Sequence, residues 1–392
     1  MKFATRLLTF DPAPGDRFTP ANTPIYQTAT FRQEDATAFG EYDYSRSGNP
    51  TRAVVEKQIA ALESGTRGFC FSTGLAAITA VTRLLSPGEE ILACDDLYGG
   101  TYRLFSRILA KRGINVRYVD FTNLDAVAAA ITSNTRLVYL ESPTNPLLQI
   151  IDIAAVSDIA HRSGALVCVD NSTMSPYLQR PLELGADIVL HSATKFLCGH
   201  SDVMAGAVVV AGEDLAQELY LIQNGEGAGL SPFDSYLLLR GTKTLSLRLD
   251  RQQSNAKAVA ELLDAHPAVD RVYYPGLANQ RQLATHRAQA SGDGAVLSFV
   301  TGDAEFSRTV VEATKLFAIT VSFGGVNSTI SLPTYMSHSS IPALLRQQKS
   351  IPADLVRISV GAEDVDDLID DLSQAFEIAA RQSTALRAIA AD

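Results

Sequence analysis

The sequence predicts an α/β protein: a mostly parallel sheet with helices on both faces, followed by a smaller α/β C-terminal domain. Three observations carry this expectation. From about residue 53 to 211, short aliphatic or β-branched runs alternate with stretches of helical spacing. That is the pattern of a parallel sheet whose strands are buried on both sides. A long helical stretch follows over 236–266, and beyond it come further strand-like runs and a closing amphipathic helix.

The elements follow in order. Residues 1–50 show little periodicity and carry prolines at 12, 14, 20, 24 and 50. They read as an extended arm, wrapped over something rather than folded alone. Strands are expected at 68–72, 90–94, 115–119, 137–141, 166–170, 187–191 and 206–211. A helix opens at Gly74, runs through LAAITAVTRLL, and meets a stop signal at Ser86-Pro87-Gly88. Ile153, Val156, Ile159 and Ala160 form a second helical stripe that stops at Gly164, a good residue just past a helix end. Residues 223–235 read as a loop. The long helix after it carries Leu245, Leu247 and Leu249, ends before Pro267, and bridges to the second domain with its strands at 295–300 and 356–360. In the final helix Leu368, Leu372 and Phe376 stack at i, i+4 spacing. Glu363, Asp364, Asp366 and Asp367 crowd its first turn, where the helix dipole favours negative charge. The expected division is an arm at 1–50, a first domain at 51–240 and a second at 241–392.

Composition narrows the function. Lys and Arg total 33 against 43 Asp and Glu, a net charge of −10. An acidic surface repels phosphate backbones, so no nucleic-acid partner is expected. Hydrophobic residues make up 46% of the chain, ample for a core. No run approaches the length of a membrane span, and the N-terminus MKFATRLLTFDPAPGD has no signal-peptide core. Cys70, Cys94, Cys168 and Cys198 include no C-x-x-C pair, so neither a metal site nor a disulfide framework is indicated. Buried reduced thiols predict a reducing compartment, the cytoplasm.

Three common nucleotide and hydrolase motifs are missing. There is no G-x-x-x-x-G-K-[ST], the run Gly225-Glu226-Gly227-Ala228-Gly229 lacks dinucleotide spacing, and no G-x-S-x-G elbow occurs. What remains is a set of strand ends. The strand at 187–191 runs into Ser192-Ala193-Thr194-Lys195, which places a lysine where open α/β sheets bind ligands. The strand at 166–170 ends in Asp170. Phe71-Ser72-Thr73-Gly74-Leu75 turns a strand into a helix, so free N–H groups face whatever lies there. Singly, each has an ordinary reading: a surface lysine, a helix-capping aspartate, a glycine at a helix start. Together they supply what pyridoxal 5'-phosphate requires. The lysine forms a Schiff base, the aspartate keeps the ring nitrogen protonated, and the helix start cradles phosphate with the hydroxyls of Ser192 and Thr194.

These residues resemble the pyridoxal-phosphate enzymes of cysteine and methionine metabolism, over nearly the whole chain. The similar runs include Tyr44-Ser-Arg46-Ser-Gly-Asn-Pro-Thr-Arg52, Ser72-Thr-Gly74-Leu75, Tyr98-Gly99-Gly100, Glu141-Ser-Pro-Thr-Asn145-Pro146 and Val169-Asp170-Asn171-Ser172. They continue with His191-Ser-Ala-Thr-Lys195, Leu230-Ser-Pro-Phe-Asp234, Ser322-Phe-Gly-Gly325, Met336-Ser-His-Ser-Ser-Ile-Pro342 and Val356-Arg357-Ile-Ser-Val-Gly361. Within the family the chain is most similar to plant-type cystathionine β-lyases. Relatives that make cystathionine or cleave its γ-bond usually carry Glu where Val321 stands, and methionine γ-lyases usually carry Cys where Gly100 stands. Leu75 replaces a frequent Met.

The resemblance implies an aspartate-aminotransferase-like (type I) fold and a homotetramer, a dimer of dimers with active sites shared between subunits. It implies that Lys195 holds the cofactor and removes the Cα proton, that Asp170 pairs with the ring nitrogen, and that Tyr98 lies on the ring face. Gly74, Leu75, Ser192 and Thr194 would bind phosphate, joined by Tyr44 and Arg46 from the neighbouring subunit. Arg357 would clamp the substrate carboxylate, supported by Asn145 and Ser322, with Val321 beside the distal part of an amino-acid thioether. The implied activity is β-elimination from cystathionine. Methionine or cystathionine γ-lyase, a sulfhydrylase or γ-synthase, and a cofactor-binding protein without turnover are the alternatives.

Overall fold

The computed structural model describes the backbone of residues 1–339 and 351–391, with side chains to residue 384. Ser340, Ile341 and Pro342 of the run at 336–342 lie outside the described residues.

The first sheet has seven strands: β1 (Arg67–Phe71), β2 (Glu90–Cys94), β3 (Asn115–Val119), β4 (Thr135–Glu141), β5 (Leu166–Asp170), β6 (Ile188–His191) and β7 (Gly206–Val210). Their order is β1-β7-β6-β5-β4-β2-β3. All run parallel except β7, which pairs antiparallel with both β1 and β6. The reason lies in the connection. Residues 192–205 form turns rather than a crossover helix, so the chain can only double back. Those turns carry Lys195.

The second sheet is formed by β8 (Arg271–Tyr273), β9 (Val296–Val300), β10 (Ala318–Ile319), β11 (Thr329–Ser331) and β12 (Val356–Ser359), in the order β10-β11-β12-β9-β8. The expected mostly parallel sheet, with a smaller α/β unit after it in sequence, is present.

Two readings of the middle of the chain change. The expected loop at 223–235 is mostly helical: one helix, Glu213–Glu226, runs into it, and another, Pro232–Thr242, begins inside it under a Ser231 cap. Glycine density suggested a loop, but Gln223 is fixed by its Nε2 donating to Cys70 O at 2.9 Å. The expected single long helix is two, Pro232–Thr242 and Leu245–Asp264. The buried Arg248 guanidinium donates Nη2 to Gly241 O at 3.0 Å and Nε to Thr244 Oγ1 at 3.1 Å, taking carbonyl and hydroxyl at the break.

The helix from Gly74 ends at Thr82, shorter than its apolar run, with Thr73 Oγ1 accepting from Ala76 N at its start. The last helix begins at Val365, with Asp366 and Asp367 in its first turn. Glu363 stands before it and accepts Ser328 N and Ser328 Oγ at 2.6 and 2.9 Å.

The arm lies along its own chain. Leu7 is buried and its carbonyl accepts from Gln58 Nε2 at 2.8 Å, and Tyr26 N donates to Thr51 Oγ1 at 2.9 Å. One apolar core runs from Val55 and Ile59 through Ala193, Phe196 and Leu197 to Phe299, Ile358 and Leu372. It therefore flanks Lys195 on both sides in sequence, which is why this lysine is held inside rather than at the surface.

Candidate active site

The strand ends of β4, β5 and β6 open into a cavity of about 780 Å³. Its walls bring together Gly74, Leu75, Tyr98, Asn145, Asp170, Ser192, Thr194, Lys195, Val321, Ser322 and Arg357. Tyr44 and Arg46 do not line it. Arg46 instead donates Nη1 to the carbonyl and side-chain oxygens of Asn224 at 2.7 and 2.8 Å and stacks on Tyr44.

Lys195 donates Nζ to Ser322 Oγ in a short hydrogen bond. Burial, and then the nearby Arg357 cation, pull its amine down to about 8. More of it is therefore neutral near pH 7 than of an ordinary lysine, and only the neutral amine attacks a carbonyl or takes a proton. Ser322 is a non-glycine residue with φ +83°. That conformation costs on the order of 1–3 kcal/mol and marks a position fixed by its surroundings. It aims the two oxygens of Ser322 at different partners: Oγ at Lys195, and the main-chain O at Arg357 Nη2, 2.8 Å away.

Arg357 is buried, and its Nη1 donates to Asn145 Oδ1 at 2.9 Å. Burial lowers its guanidinium to about 10. Both cations lie over the Phe323 ring, at 5.1 Å for Lys195 and 5.5 Å for Arg357.

Asp170 closes β5. Its Oδ1 accepts Ser172 N at 3.0 Å and Ser172 Oγ at 2.5 Å, and Oδ2 accepts the Tyr139 hydroxyl at 3.2 Å. Burial pushes its carboxyl up, and these donors together with His191 pull it back. Tyr98 opens the helical turn Gly99–Arg103, and its N–H donates to Glu141 Oε1 at 2.9 Å. A Cβ on residue 100 would lie 2.3 Å from the Tyr98 ring, so glycine there lets the ring rest against the backbone. Thr194 uses its hydroxyl on Ala205, accepting from N at 2.9 Å and donating to O at 3.2 Å. Val321 is about half exposed beside Ser322.

Sequence reasoning singled out the strand-end Asp170 but not Glu141, which ends the neighbouring strand in register with it. The same position was signal enough. Ser172, two residues after the aspartate, fits a common side-chain-to-backbone turn pattern. Phe323 stands in the run Ser322-Phe-Gly-Gly325 quoted above, but nothing in that run marks its ring as the surface beneath two cations.

The donor set fits pyridoxal phosphate. A lysine amine lowered toward neutrality would suit its aldehyde, a hydrogen-bonded carboxyl its ring nitrogen, and a helix start its phosphate. At that helix start a Cβ on residue 74 would stand 3.0 Å from Ser192 Cβ, so glycine leaves the cradle open.

Comparison with known proteins agrees. Residues 4–377 match the family described as Cys/Met metabolism PLP-dependent enzyme. The chain is 56% identical over 362 residues to a chloroplastic cystathionine β-lyase of Arabidopsis thaliana, covering 92% of this chain and 78% of that one. It is 47% identical to a cystathionine γ-lyase of Bacillus subtilis, covering 93% of this chain and 96% of that one. Its fold matches the crystal structure of a cystathionine γ-synthase of Xanthomonas oryzae in complex with cystathionine, with a TM-score of 0.95, 39% identity, and coverage of 97% and 99% of the two chains. With the fold, the lysine cavity and the match over most of its length in agreement, the chain belongs to the Cys/Met metabolism PLP-dependent enzyme family.

Proposed function

We propose that this protein is a pyridoxal-phosphate-dependent carbon–sulfur lyase that converts cystathionine and water to homocysteine, pyruvate and ammonia. The observation that carries the reading is Ser322. One residue ties the candidate base, Lys195, to the candidate carboxylate clamp, Arg357. An amino acid gripped through its carboxylate thereby presents its Cα to the Lys195 amine.

Gly74, Leu75, Ser192 and Thr194 would hold the cofactor phosphate, Asp170 its ring nitrogen, Tyr98 its ring face and Lys195 its aldehyde carbon. When bound, the cofactor supplies an electron sink for the pair left at Cα. Arg357 binds the α-carboxylate, and Asn145 fixes the guanidinium plane. Lys195 Nζ would take the Cα proton of the bound substrate. Val321 presents an apolar surface to the distal arm of the thioether, where a Glu would attract the distal ammonium.

The reading extends to a homotetramer, a dimer of dimers, in which Tyr44 and Arg46 serve the neighbouring subunit's phosphate. An arm with exposed Phe18, Phe39 and Tyr44 supports it. The proposed divisions are an arm at 1–50, a first domain at 51–240 and a second at 241–392. The four buried free cysteines support a reducing, cytoplasmic setting. No helix among the described residues is long and apolar enough to cross a membrane.

Cleavage at the γ-carbon, named for the Bacillus relative, is the competing reading. The keto acid separates the two. Purified holoenzyme given cystathionine should release pyruvate as the dominant keto acid. A predominance of 2-oxobutyrate would replace the β-lyase reading with the γ-lyase one.

A further inference from the structure

Glu141 is a buried titratable group that the mechanism above does not use. It closes β4 in register with Asp170, is 4% exposed, and lines the cavity. Its carboxyl accepts the main-chain N–H of Tyr98 through Oε1 at 2.9 Å, and also the main-chain N–H of Asn145. These two residues carry different parts of the site. Tyr98 lines the cavity from the start of a helical turn, and Asn145 Oδ1 holds Arg357.

We propose that Glu141 is a positioning residue, a single carboxyl acceptor that sets both the Tyr98 cover and the Asn145–Arg357 clamp. Two carboxyl groups in register at adjacent strand ends do not both ionise readily in a buried site. Burial, with the carboxylates of Asp170 and Asp96, pushes the Glu141 carboxyl well above the usual range. Asp170 instead receives the Ser172 amide, the Ser172 hydroxyl and the Tyr139 hydroxyl. The donors that favour an ionised carboxyl therefore gather on Asp170 more than on Glu141.

The inference rests on the lyase reading of the cavity, so its test includes readouts that need no turnover. Glu141→Gln keeps an acceptor and has no charge. Glu141→Leu fills similar space without an acceptor. In holoenzyme, Glu141→Gln should keep kcat, KM, the pH profile and pyridoxal-phosphate affinity within about threefold of native, because the acceptor oxygen is kept. Glu141→Leu should raise KM and lower kcat, each by roughly tenfold or more, since small misplacements of binding and covering groups carry such losses. It should also weaken cofactor affinity and shift the visible absorption band of the bound cofactor.

A Gln variant as impaired as the Leu variant, or with a displaced pH profile, would overturn the inference, because the charge would then be needed. A Leu variant native-like in every readout would overturn it as well. If Glu141→Leu does not fold, Glu141→Gln alone decides. If native enzyme shows no lyase turnover, the lyase reading falls, while cofactor affinity and the absorption band still decide the role of Glu141.

Discussion

Lys195→Ala is expected to lower kcat/KM by about 10⁴-fold or more. A positioned general base contributes roughly 10²–10⁴-fold by itself, and this amine is also the covalent anchor for the cofactor. The fold should survive. Burial lowers the Lys195 amine from 10.5 to about 8, so the folded state binds its proton less readily than the unfolded chain does. For such a base the stability cost is fully present below pH about 8 and disappears above about 10.5. Removing the amine near pH 7 removes that cost, which opposes the lost contacts to Ser322 and Phe323. The cofactor-free variant should therefore melt no lower than the cofactor-free native protein. Steady-state turnover and thermal unfolding together check this. Activity within tenfold of native would take Lys195 out of the mechanism.

Arg357→Ala is the second large effect. The guanidinium is buried and fixed on two sides, by Asn145 Oδ1 and Ser322 O. Losing one partner of a buried charge pair costs about 2–5 kcal/mol, or roughly 30- to 5,000-fold in kcat/KM. Both constants should move. KM rises because the carboxylate loses its clamp, and kcat falls because Ser322 loses an anchor and carries the Lys195 amine with it. Arg357→Lys should recover little, since an ammonium cannot reproduce a planar fork reaching two fixed acceptors and a carboxylate. Near-native constants in the lysine variant would contradict the clamp.

Much of the fold and of the candidate site is legible in the sequence. Strands β2, β3 and β5 fall at the expected residues, because aliphatic runs bounded by turn residues leave little freedom. Lys195, Asp170 and Gly74 could be proposed together because each stands at a strand's carboxyl end. The remainder depends on contacts between distant residues. Ser322 reaches Lys195 from 127 residues away, and its positive φ has no sequence signature in a serine. Arg248 breaks a continuous helical pattern through carbonyl and hydroxyl contacts that periodicity does not encode. The reversal of β7 follows from a connection too irregular to cross the sheet, although its strand pattern resembles that of its parallel neighbours. Glu141 was visible in a quoted motif, but its partners Tyr98 and Asn145 became evident only when the loops were folded against it.

The central claim is that the cofactor is held on Lys195 at this cavity. Borohydride reduction of the loaded enzyme fixes the cofactor permanently on whichever amine carries it. Proteolysis and mass spectrometry then locate the adduct. The account expects a single pyridoxyl-phosphate adduct on the peptide containing Lys195, and none on that peptide in Lys195→Ala. An adduct on another lysine of the native enzyme, with Lys195 unmodified, would contradict it.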